Sequence, residues 1–226
     1  MRARLCEFLG ALAATALAAL LAGNAQAQSP FAASRGFYIA GEGGASFLRS
    51  IDFSIPQSSS NKATFKTGWA ALGSGGYAFD NGFRTEVEGS YRRNSIDKFR
   101  QLDGSGNLSA TAVMLNGFYD WNINNGPIVP YIGGGAGWVW VRANNIKRNL
   151  ISCCPQIDGR DSAFGYQAII GASWHFSPQF SVNLDYRFLG TTKLTLDAES
   201  GGVGTSARGH YYDHAVMLGL RWTFPK

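Results

Sequence analysis

Residues 180–188, FSVNLDYRF, separate by alternate positions into an apolar set (Phe180, Val182, Leu184, Tyr186, Phe188) and a polar set (Ser181, Asn183, Asp185, Arg187). A strand turns successive side chains to opposite faces, so this segment has one apolar and one polar face. In a soluble domain the apolar face would meet a core. In a membrane barrel it would meet lipid, with the polar face lining the interior. The same alternation recurs along the chain and predicts strands at about 36–48, 64–79, 83–95, 108–121, 127–142, 162–176, 179–190 and 211–224.

The connections between these segments fall into two classes. Asp80-Asn81-Gly82, Asn122 to Gly126 and Ser177-Pro178 are short and rich in turn formers. Those at about 49–63, 96–107, 143–161 and 191–210 are long and polar, and the two classes alternate strictly. Tight periplasmic turns alternating with long outer loops are the order of an up-and-down barrel. Aromatics fall at both strand ends. Phe79, Phe83, Tyr131, Trp174, Phe180 and Trp222 lie toward the short turns, and Phe65, Tyr91, Trp138, Phe188 and Tyr211 toward the long loops. Two such girdles mark a barrel crossing a bilayer. From Phe180 to Phe188 a strand rises about 26 Å, and a tilt of ~40° reduces this to roughly 20 Å, near the height of the apolar band. The predicted fold class is all-β, an eight-stranded antiparallel up-and-down transmembrane β-barrel.

Alternation also assigns the interior. Glu42, Lys66, Arg84, Glu86, Glu88, Arg92, Asp120, Asp185, Arg187 and Arg221 are expected to face inward as a lumen charge network, with acids and bases in balance. Eight strands leave an interior just wide enough for side chains to fill. The charges should therefore pair into a plug, while a conducting ladder stays open as the alternative. The fifth segment, YIGGGAGWVWV, is apolar and Gly-rich on both sides, so its faces stay unassigned.

Composition narrows the classes further. The chain holds 29 Gly, 13% aromatic and only 15% charged residues, and its net charge of +5 is mild. Without a basic run or aromatic-basic interleaving, nucleic acid is not an expected partner. The start, MRARLCEFLGALAATALAALLAGNAQAQ, has a basic end, an Ala/Leu run and Ala25-Gln26-Ala27, which reads as a secretory signal peptide over 1–27. A short segment, 28–35, then precedes the barrel domain, 36–226.

Few residues suggest chemistry. Cys153 and Cys154 are adjacent in a long loop, where a loop disulfide, a link between chains, or a soft metal or haem are the options. His210, Asp213 and His214 cluster at the outer rim, with Ser206 the nearest nucleophile. Alternation turns His214 to lipid and Asp213 to the lumen, so the pair diverges, and His175 falls at the opposite end. A catalytic set needs a nucleophile within reach of its base. No enzyme, cofactor or metal site is expected, and a rim hydrolase acting on lipopolysaccharide stands as the less favoured reading. Loop cations, among them Arg49, Lys62, Arg93, Lys98, Arg142 and Lys147, suit either lipopolysaccharide phosphate or plain solvation.

NGFYDW (116–121), PYIGGGAGW (130–138), FGYQAIIGASWHFSPQFSVNLDYRFLG (164–190) and AVMLGLRWTF (215–224) resemble the outer-membrane β-barrel family of opacity-like surface proteins, and more distantly the membrane domain of outer membrane protein A. The resemblance covers residues 36–226. It implies a bacterial outer-membrane location, variable antigenic loops that meet an extracellular ligand or host surface, and roles in envelope integrity, adhesion or small-solute passage as a porin. It carries no catalytic motif. One departure is that such chains end on an aromatic residue read by the assembly machinery, whereas Pro225-Lys226 follow Phe224 here.

Overall fold

The computed structural model describes residues 35–49, 51–53, 61–99, 102–121, 126–148, 156–200 and 203–224. The expected signal peptide (1–27), the pair Cys153-Cys154 and Pro225-Lys226 lie outside the described residues. The strands are β1 (Gly36–Leu48), β2 (Ile51–Phe53), β3 (Asn61–Phe65), β4 (Gly68–Ala78), β5 (Phe83–Phe99), β6 (Leu102–Asp120), β7 (Ile128–Arg148), β8 (Gln156–His175), β9 (Phe180–Thr191), β10 (Leu194–Ser200), β11 (Val203–Gly209) and β12 (Tyr212–Thr223).

Eight of these, β1, β4 to β9 and β12, are the staves of a closed antiparallel barrel. Closure is made by β1, which pairs with β4 on one side (Glu42 opposite Leu72) and with β12 on the other (Glu42 opposite Gly219). No stave is left with an open edge, as lipid requires. The first and last staves finish side by side, with the Phe224 amide donating to the Phe37 carbonyl at 2.9 Å. The short strands are additions at the end bearing the long connections: β2 pairs with β3 and β3 with β5, while β10 pairs with β11 and β8.

Much of what reads as long loop in the sequence is strand. β5 runs on to Phe99 and β6 begins at Leu102; β7 continues to Arg148 and β8 begins at Gln156. Their outer parts carry polar residues on both faces, which conceals the alternation. At the opposite end the turns are tight. Gly82, at φ +83°, supplies the left-handed residue of the Asp80–Gly82 turn, closed by the Phe79 amide on the Phe83 carbonyl at 2.8 Å.

The two faces of the staves differ sharply. Outside, Leu115 is 64% and Leu218 59% exposed, a surface suited to hydrocarbon; inside, Glu88 and Asp213 are fully buried. Aromatic rings form a nearly continuous belt at the short-turn end. Phe176 stacks on Phe180 at 6.1 Å, Phe180 on Trp222 at 6.2 Å, and Trp222 meets Phe224 at 4.6 Å, while Phe37, Tyr77 and Phe79 continue it at 5.0 Å each. A second belt at the other end includes Trp69 with Tyr91 and Phe188 with Tyr212. Tyr131 and Tyr211, expected in the girdles, are instead buried in the interior.

The fifth stave, β7, resolves its own ambiguity through register. Val129, Tyr131, Val139, Val141 and Ala143 are buried, and Ile132, Trp138 and Trp140 face outward. With Leu108, Leu189, Leu194 and Tyr211, Val139, Val141 and Ala143 of β7 build an apolar cluster across the outer part of the lumen. The interior is thus mainly polar toward the short turns, and toward the long connections it combines this apolar cluster with a buried Arg92–Asp213 pair.

Candidate functional site

The lumen holds most of the charged side chains singled out by alternation, arranged in three tiers. Each reaches inward because its strand neighbours face lipid: on β5, Arg84, Glu86, Glu88 and Arg92 are buried between the exposed Phe83, Thr85, Val87 and Arg93.

The central tier is organised by Arg187 on β9. Its Nη1 donates to Glu88 at 2.6 Å, its Nη2 to Glu42 at 3.0 Å, and its Nε and Nη2 grip Asp185 at 2.9 and 3.2 Å. One guanidinium therefore joins carboxylates from β1, β5 and β9, using the planar fork that suits arginine to such sites. Neutral amides extend the tier: Asn116 and Gln167 both donate to Glu88, at 2.8 and 3.0 Å, and Tyr131 donates to Asp185 at 2.9 Å.

Toward the short turns, Arg84 donates to Asp120 at 2.7 Å and lies 4.3 Å from the centre of the Phe118 ring. Arg221 donates to Ser173 and, at 3.0 Å, to Asn183. Glu86 is held by neutral donors, Tyr38 at 2.9 Å, Ser74 and Asn116 at 3.2 Å each. A cavity of ≈ 10 Å³ sits among Tyr38, Glu42, Arg84, Glu86, Arg187 and Arg221, about the size that admits one water.

Toward the outer end, Arg92 and Asp213 form an ion pair at 3.1 Å, both fully enclosed. Ser46 donates its hydroxyl proton to Asp213 Oδ2 at 2.5 Å and lies 3.0 Å from the Asn94 side-chain Oδ1, and Arg92 donates to Ser90 at 3.1 Å. Small residues make the room for these side chains. A Cβ on Gly219 would overlap Glu42 Cγ, and one on Gly171 would stand 2.5 Å from Asp185 Cβ.

One expected lumen residue is misplaced: Lys66 is exposed. It lies in the break between β3 and β4, where the register shifts at Thr64/Phe65, so the phase counted back from β4 does not reach it. Asp213 takes the opposite course. Its position on β12 marks it as inward, yet proximity to His210 and His214 draws attention to the rim instead. With Asp213 in and Lys66 out, the described lumen holds Glu42, Glu86, Glu88, Asp120, Asp185 and Asp213 against Arg84, Arg92, Arg187 and Arg221. The expected balance becomes an acidic excess, carried by neutral donors.

The rim histidines go elsewhere. His214 Nδ1 lies 2.5 Å from the Tyr186 hydroxyl on the outer surface, and His210 Nδ1 lies 3.3 Å from the Thr191 carbonyl. His175 is buried near the short-turn end. The Ser206 side chain lies outside the described side chains.

Comparison with known proteins agrees with this architecture. Residues 13–224 match the model of the outer membrane protein beta-barrel domain. An outer membrane protein of Gluconacetobacter diazotrophicus is 28% identical over 185 residues, which cover 74% of this chain and 49% of the relative. An uncharacterized protein of Brucella abortus is 26% identical over 163 residues, 62% of this chain and 56% of the relative. The chain thus spans about half the length of the curated relatives it matches. Among solved structures, the outer membrane protein OprG of Pseudomonas aeruginosa has a similar fold, with a TM-score of 0.60 at 14% identity over 85% of this chain and 99% of that one. A closed eight-stave sheet with an apolar exterior, together with that family match over most of the chain, makes this an outer-membrane protein belonging to the outer membrane protein beta-barrel domain family.

Proposed function

We propose that the protein acts as a closed barrel anchored in the outer membrane, with a structural and surface role and no reaction of its own. The observation that carries this reading is the Arg187 hub, which ties three staves together across the lumen through Glu42, Glu88 and Asp185. The apolar cluster beyond it adds a second obstruction toward the outer end. The outer connections then form the part available to an extracellular ligand or host surface, in envelope integrity, adhesion or as an antigen. The divergence of Asp213 from His214 supports a non-catalytic rim, since a base needs its orienting acid within hydrogen-bond reach.

The deciding experiment is planar-bilayer recording of the purified, refolded barrel. Silence at physiological salt is expected. Discrete steps that change in size with Glu88→Gln or Arg187→Ser would establish the alternative, a small porin.

A further inference from the structure

The outer surface of four neighbouring staves carries an unexpected pairing. Arg142 of β7 stands directly opposite Arg160 of β8, and Ser109 of β6 links Arg142 to Arg93 of β5 in the same row. All three arginines are exposed and point away from the lumen. Arg93 lies between the buried Arg92 and Asn94, Arg142 between the buried Val141 and Ala143, and Arg160 in phase with the exposed Phe164. Like charges directly opposed on a sheet destabilise it. Among the described residues none of the three guanidinium groups makes an ion pair or hydrogen bond.

The depth of the row indicates what relieves it. One outward-facing step nearer the short turns lie Tyr91, Thr111, Trp140 and Ser162, and the next holds the exposed Val113, Trp138 and Phe164. Each arginine therefore sits about 7 Å along its strand or its partner strand beyond the outermost aromatic residues, on the headgroup side. This is the end with the long connections, in the leaflet whose glycolipid carries phosphates on its sugars. A guanidinium and a phosphate match bidentately, and one phosphate between Arg142 and Arg160 turns a repulsive pair into a bridge. The outer ends of β9 and β12 present Phe188, Tyr212 and His214, with Arg49 and Lys193 exposed beside them but not opposed to another arginine across a strand pair.

We propose that Arg93, Arg142 and Arg160 form a binding row on β5 to β8 for the phosphate groups of lipopolysaccharide lipid A. The site is independent of whether the lumen conducts. Its test uses the full-length mature protein folded in zwitterionic micelles and titrated with bisphosphorylated lipid A. Wild type should bind this form at least tenfold more tightly than dephosphorylated lipid A, a comparison that needs no variant. Arg142→Ser with Arg160→Ser should abolish the difference, while Arg49→Ser, outside the row, leaves it intact. Without lipid A, Arg142→Ser should hold or raise the thermal midpoint, because it removes a like-charge contact.

Equal binding of the two lipid A forms, or an unchanged preference in the double variant, would overturn the assignment. So would equal protection by inorganic phosphate at the same phosphate concentration, which would make the row a general anion site. A double variant that loses heparin binding yet keeps lipid A would assign the row to soluble sulfated glycans instead.

Discussion

Arg187 and Glu88 stand 99 residues apart in the chain and 2.6 Å apart in the lumen, on staves that are not neighbours in the sheet. Their bond crosses the barrel, and the same guanidinium holds Glu42 and Asp185. Removing it with Arg187→Leu leaves three enclosed carboxylates without their shared cation. Breaking a buried pair on one side typically costs about 3–5 kcal/mol. The urea midpoint of the refolded barrel should fall accordingly, with Arg187→Lys intermediate because a point charge cannot grip all three acids.

The Arg92–Asp213 pair tests whether the outer tier is valued for its charge or only for its completeness. Either Arg92→Leu or Asp213→Leu alone should lower stability by several kcal/mol, whereas the double substitution should recover much of the loss. A double-mutant cycle read by urea unfolding checks this. Simple additivity would mean that the two side chains, 3.1 Å apart, are energetically independent.

Gly219 faces Glu42 so closely that a side chain at 219 must displace it. Gly219→Val should push Glu42 from its 3.0 Å bond with Arg187 and cost about 1–3 kcal/mol as overpacking. Gly73, whose added Cβ would meet nothing within 4 Å, is the control. Gly73→Ala should leave the unfolding midpoint within about 0.5 kcal/mol.

Leu218 separates a lipid-facing wall from a water-facing one. On a soluble surface an exposed Leu→Arg change is nearly neutral, but at the bilayer midplane it costs about 2–4 kcal/mol. Leu218→Arg should therefore impair refolding into phosphatidylcholine vesicles. Lys66→Gln, at an exposed position outside the staves, should alter neither refolding nor conductance.

Legibility in the sequence followed the chemistry of each stave. β5, β9 and β12 set charges against apolar residues at strict period two, so Glu88, Arg187 and Arg221 could be turned inward from the sequence alone. β7 could not be read this way: its Val139 and Val141 face in while Trp138 and Trp140 face out, and both sets are apolar. Phase information also fails across a break, as at Lys66, and vanishes where strands leave the membrane with two polar faces, as at the outer parts of β5 to β8. The partners of Arg187 were out of reach because they depend on barrel register, which joins Glu42 to Gly219 at the closing seam.

The seam also sets a clock on assembly. Glu42 comes from the first stave, Glu88 from the third and Arg187 from the seventh, and the last stave must still arrive to join β1. Contacts 99 and 145 residues apart cannot stabilise a partial sheet, because the loop entropy is spent before the bond is gained. Until Arg187 arrives, Glu42 and Glu88 on the inner face lack their shared cation. Only a chain that reaches the seventh stave can close the hub, so these ion pairs belong to the nearly complete barrel.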